Sequence, residues 1–126
     1  MQLPVTITGV VQRHNGRGRT LGYPTANLNY DGTLPDGVYI AYTTIGEEEF
    51  PSLAFIGTAD TFNDFTRRLE VFILDFDRDI YEQQITVELI TFTRENRKFD
   101  SVDDLIKQMQ WDEQDARVFF SLDIVQ

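Results

Sequence analysis

The chain has 126 residues, enough for one domain with its own core and too few for two ordinary ones. Its formal net charge of −10 sets it against nucleic acid and anionic membrane surfaces, which would repel it. With no cysteine and a single histidine it has no disulfides and no ligand set for a structural zinc site.

No apolar run approaches the roughly 18 residues of a membrane span, and the start, Met1-Gln2-Leu3-Pro4-Val5, lacks the features of a signal peptide. A cytoplasmic, monomeric protein is the expectation.

Val5 to Val11 alternates weakly and predicts a first strand. A glycine-rich stretch follows, His14-Asn15-Gly16-Arg17-Gly18-Arg19-Thr20-Leu21-Gly22-Tyr23-Pro24-Thr25-Ala26-Asn27. With Arg13, its arginines form a local basic cluster on an acidic chain, which suits a small anionic ligand. Glycines admit close backbone approach, and guanidinium groups bind phosphate oxygens bidentately. A surface hairpin whose glycines serve turns is the alternative.

Ala26 to Tyr30 predicts a short second strand, and Leu34-Pro35-Asp36-Gly37 a turn. Val38 to Ile45 and Phe50 to Ile56 predict a hairpin with Gly46 to Glu49 at its tip. Gly57 to Thr66 reads as a loop. Leu69 to Phe76 is the most apolar run and predicts a central strand. Gln84 to Thr93 alternates strictly enough for a last strand. Strands at even spacing without intervening helices predict a mainly β fold, an antiparallel barrel or sandwich.

The period then changes. Ser101-Val102-Asp103-Asp104 predicts a capped helix start, with Val102, Leu105, Ile106 and Met109 on one face. Asp112 or a neighbour is expected to cap a second helical segment, with Ala116, Phe119 and Phe120 facing inward. The C-terminal helix is expected to pack on the barrel or close its end.

Several residues can carry chemistry. Thr25 and Asn27 lie two apart in an extended stretch, so both oxygens can face one hard cation or one phosphate, or they can form a local turn. Glu70 interrupts the most apolar strand and faces either water or a cavity, where desolvation would suit it to general-base work. Asp75, Asp77 and Asp79 read better as a solvated turn than as a calcium loop. Phe92, Phe99 and Trp111 can stack on a planar ligand or pack a core.

Together these pieces resemble a riboflavin kinase domain, over nearly the whole chain. The matches are Gly16-Arg17-Gly18-Arg19, Leu21-Gly22-Tyr23-Pro24-Thr25-Ala26-Asn27, Pro35-Asp36-Gly37-Val38-Tyr39, Ile56-Gly57, Thr61-Phe62, Leu69-Glu70-Val71, Leu74-Asp75-Phe76, Tyr81, Arg94-Glu95 and Lys98-Phe99. The resemblance, which extends to the C-terminal kinase half of bifunctional FMN/FAD synthetases, implies one domain over residues 1–126. Its fold would be a six-stranded antiparallel Greek-key barrel with a C-terminal α-helix.

The implied reaction is ATP-dependent phosphorylation of the riboflavin ribityl 5′-hydroxyl, giving FMN and ADP. The resemblance makes Glu70 the base, and Thr25 and Asn27 the holders of a magnesium or other divalent cation. It assigns the nucleotide to Gly16, Arg17, Gly18, Arg19, Gly22, Thr25, Asn27 and Tyr81. Arg94, Glu95 and Phe99 would border the flavin.

The chain departs from the family pattern at Phe55, where asparagine is usual, at Asp60, where proline is usual, at Phe72, where histidine is common, and at Glu82, where glycine is frequent. These departures admit reduced activity or altered nucleotide preference. The alternative reading is a catalytically weakened flavin- or nucleotide-binding module on the same barrel.

Overall fold

In a computed structural model, residues 2–12, 25–58 and 67–121 are described. The strands are β1 (Val5–Val10), β2 (Ala26–Asn29), β3 (Gly37–Ile45), β4 (Glu48–Thr58), β5 (Arg67–Ile73) and β6 (Gln84–Arg94). One helix, α1 (Val102–Phe119), follows them. The chain divides into two compact units, residues 1–96 and 97–126, taken here in turn. No helix among the described residues is long and apolar enough to cross a membrane.

All six strands form one antiparallel sheet in the order β1-β6-β3-β4-β5-β2. The β3-β4-β5 meander with β6 returning beside β3 is a Greek key. The sheet curls until its edges meet: Gln12 forms an antiparallel bridge with Asn27, and Gln12 N donates to Asn27 O at 2.7 Å. Register shifts in the β3–β6 pairing, next to Val38 and Ile40, supply the local bending that closure needs. The expected six-stranded barrel is therefore the fold.

Period-2 alternation decides what the barrel encloses. Leu69, Val71 and Ile73 of β5 point inward with Leu28, Tyr39, Ala41, Ile56, Ile85, Val87 and Leu89, forming the core. Arg68, Glu70 and Phe72 take the opposite face. β5 ends at Ile73, short of the expected Phe76, because Asp75 adopts a left-handed φ of 53° and breaks the ladder.

One loop anchor was not evident in the sequence. Arg67, at the start of β5, donates to Gly32 O and Leu34 O at 2.6 Å each and to Asp36 Oδ1 at 2.7 Å. Its guanidinium also lies over the Tyr30 ring, so a single side chain ties down the turn before β3. Gly37, which ends that turn, has φ 150°, and a Cβ there would stand 2.6 Å from Arg94 O and 2.5 Å from the Phe92 ring. Gly37→Ala should lower unfolding free energy by about 2 kcal/mol, since a backbone carbonyl cannot step aside. Urea titration with an unchanged slope checks it.

Glu82, where the family often has glycine, keeps the tight turn. Gln83 N donates to Ile80 O at 3.1 Å, and Glu82 takes φ 67°, as at the third position of a type II turn. The departure leaves the turn in place and strains it. Glu82→Gly should therefore raise stability by about 1 kcal/mol, seen as a higher melting temperature.

In the second unit, Ser101 caps α1 as expected, its Oγ accepting from Asp104 N at 3.1 Å. Contrary to expectation there is no second segment at Asp112. The helix runs straight through it, and the Asp112 carboxylate accepts from Gln108 Nε2 one turn earlier at 3.0 Å. Ala116 is buried, but Phe119 is 48% exposed and stacks edge-on against Phe120. The buried positions are Asp112, Ala116 and Arg117, the last paired with Glu113 at 2.9 Å.

Candidate functional site

The β2–β5 pairing is the seam where the candidate residues meet. Asn27 and Glu70 are direct cross-strand partners, flanked by Ala26↔Val71 and Leu28↔Leu69. Those flanking pairs belong to the core. Asn27 and Glu70 therefore share the outer face, with Cβ atoms on the order of 5 Å apart as in any such pair. On its other side Glu70 faces Phe55 of β4. The asparagine usual at that position would be polar; Phe55 adds apolar surface beside the carboxylate.

Burial pushes the Glu70 carboxyl above the ordinary glutamate range, and the Arg68 guanidinium opposes part of that shift. A carboxylate in this state is a better proton acceptor than an exposed one. Arg68 was missed in the sequence, although its spacing of two from Glu70 was the signal that both share a face.

Asn27 is 1% exposed although it lies outside the apolar core. Its Nδ2 reaches Thr25 O at 3.4 Å, while its Oδ1 is buried with no hydrogen-bond partner among the described residues. An orphaned amide oxygen carries a desolvation penalty of roughly 1–3 kcal/mol unless a ligand meets it. A hard cation is a suitable ligand for such an oxygen. No group of three or more His, Cys, Asp or Glu side chains among the described residues forms a metal cage.

Thr25 borders a cavity of about 410 Å³ at the end of the barrel, with Val11, Ala26, Ile73, Arg78 and Tyr81 among its walls. The structure thus brings Thr25 and Tyr81 to one cavity, which Ala26 and Val71 line from the core face; Asn27 and Glu70, on the outer face, are not among its walls. Asp79 belongs to the same wall, where its Oδ1 accepts from Tyr81 N at 3.0 Å and so shapes the turn.

Gly16, Arg17, Gly18, Arg19 and Gly22 lie outside the described residues, as does Asp60. Arg94 closes β6, with Nη1 donating to Glu95 O at 3.0 Å, and Glu95 is exposed just beyond it. Phe99 belongs to the helical unit, where the Arg97 guanidinium lies 5.6 Å from its ring centroid.

A curled antiparallel barrel that sets a desolvated carboxylate beside a buried amide oxygen is equipped to handle an oxygen-rich ligand. The chain belongs to the riboflavin kinase family: the family model Flavokinase: Riboflavin kinase matches residues 1–120. The chain is 41% identical to a bifunctional riboflavin kinase/FMN adenylyltransferase of Listeria monocytogenes and 38% identical to one of Escherichia coli. Each match covers 94% of this chain, which spans 39% of either relative's length.

Among solved structures, it is similar to a macrolide-efflux protein from Streptococcus pneumoniae. That match has TM-score 0.81 and 40% identity over 90% of this chain and 38% of the other. A riboflavin kinase from Trypanosoma brucei shares the fold, with TM-score 0.68 and 23% identity over 92% of this chain and 76% of the other.

Proposed function

We propose that the chain transfers the γ-phosphoryl group of ATP to the ribityl 5′-hydroxyl of riboflavin, giving FMN and ADP. The observation that carries the chemistry is the Asn27–Glu70 pair, a buried amide oxygen lacking a partner among the described residues beside a carboxyl group pushed up by burial. Family membership over residues 1–120 supports the substrates. Because that match spans both compact units, it also supports treating them as one functional domain.

In this reading the 5′-oxygen attacks the γ-phosphorus, the bond from that phosphorus to the β–γ bridging oxygen breaks, and the hydroxyl proton passes to the Glu70 carboxylate. Phosphoryl transfer depends mostly on positioning and charge neutralisation, with one group orienting the nucleophile. Glu70 does the orienting and removes the proton. A divalent cation, for which magnesium is our choice, would be held by Thr25 Oγ1 and Asn27 Oδ1 and would neutralise phosphate charge. Thr25 and Tyr81 border the nucleotide, with Gly16, Arg17, Gly18, Arg19 and Gly22 as the loop over its phosphates. Arg94, Glu95 and Phe99 border the flavin.

Incubation with riboflavin, ATP and magnesium, followed by chromatography, should show FMN rising with time. Flavin binding with no FMN across several nucleotides and metals would instead make the chain a binding module that has lost catalysis.

A further inference from the structure

The helical unit holds a hydrogen-bonded chain that the proposed reaction does not use. Asp112, in the middle of α1, is 2% exposed and accepts from Gln108 Nε2 at 3.0 Å. That bond fixes which way the amide faces. With Nε2 committed to the carboxylate, Oε1 accepts from Arg97 Nη1 at 2.9 Å. The guanidinium so held covers the Phe99 ring at 5.6 Å. Arg97, Phe99 and Gln108 border one cavity of about 330 Å³, together with Trp111, Lys98 and Lys107.

An exposed arginine ordinarily samples many rotamers, and a ligand that packs on its stacking partner must order it on binding. Here the ordering is done in advance. The buried end of the relay is rigid because it sits on a helix at the i, i+4 spacing, and the amide passes that rigidity to the loop before the helix.

We propose that Gln108 is a positioning residue for riboflavin: it joins buried Asp112 to Arg97, locks the Arg97–Phe99 stack, and so presets the aromatic wall that the flavin ring meets. The inference rests on the reading that Phe99 borders the flavin. It concerns recognition, and leaves the phosphoryl-transfer step to Glu70.

The test measures riboflavin Kd by quenching of flavin fluorescence, alongside KM for ATP. The proteins are wild type, Gln108→Leu, Arg97→Ala, the double variant and Phe99→Ala, each checked for folding by thermal melting. Gln108→Leu and Arg97→Ala should each weaken riboflavin about 5–10-fold with KM for ATP unchanged, and the double variant should match either single one instead of multiplying them. Arg97 is exposed, so its variant keeps the test open if Gln108→Leu fails to fold. Weakening by Phe99→Ala combined with wild-type affinity in Arg97→Ala overturns the positioning role, as do multiplicative effects in the double variant. Wild-type affinity in Phe99→Ala overturns the placement of the flavin itself.

Discussion

Glu70→Gln should lower kcat for FMN formation by about 10²–10⁴-fold while leaving riboflavin affinity within about threefold. Glutamine keeps the size of the side chain and can still touch the 5′-hydroxyl, but it cannot take the proton. The same substitution should not harm the fold. Burial raises the Glu70 pKa in the native state above its unfolded value, with Arg68 offsetting only part of the effect. The contribution of this group to stability is therefore full below the ordinary glutamate range and is lost as pH rises through the raised native pKa. Above that native pKa the wild type holds a carboxylate that folding disfavours, and Glu70→Gln removes it. The variant should melt at the same or a higher temperature than wild type at pH 7, with the gap closing as pH is lowered. A residue whose loss removes turnover and relieves the fold is there for chemistry. A lower melting temperature together with wild-type turnover would make Glu70 a structural residue.

Asn27→Leu is the second large effect. Leucine fills the buried volume and brings no oxygen, so the penalty of the orphaned Oδ1 disappears. Stability should hold or rise, whereas kcat/KM should fall by roughly 100-fold or more, because a cation held at the phosphates contributes several kcal/mol of charge stabilisation. The metal concentration needed for half-maximal rate should rise in parallel. A magnesium titration of initial rates reads this directly, and an unchanged titration midpoint would remove Asn27 from the cation site.

The two substitutions illustrate what the sequence made legible. Six strands could be read because β-branched and aromatic residues recur with period two and turn signals separate them, as at Pro35-Asp36-Gly37 and Gly46. The same alternation showed Glu70 standing against its apolar neighbours. It could not show that Glu70 faces Asn27, since register between strands distant in sequence depends on how the barrel closes at Gln12–Asn27. The partnerless Oδ1 among the described residues was equally hidden.

Local chemistry misled in two places. Asp112 resembles a helix cap until its partner Gln108 is seen. Glu82 stands where the family often has glycine, yet the backbone takes the left-handed conformation without it. Arg67 gave no pattern at all, because its partners are backbone carbonyls and a carboxylate of a distant loop.

The central claim is that burial on the outer face of the barrel tunes Glu70 as the base for phosphoryl transfer. The pH dependence of kcat, measured for wild type and Glu70→Gln at saturating riboflavin, ATP and magnesium, tests it most directly. Wild-type activity should fall on the acid side through an ionisation above the ordinary glutamate range, and that limb should be missing from the residual activity of Glu70→Gln. The same acid limb in both proteins would contradict the account.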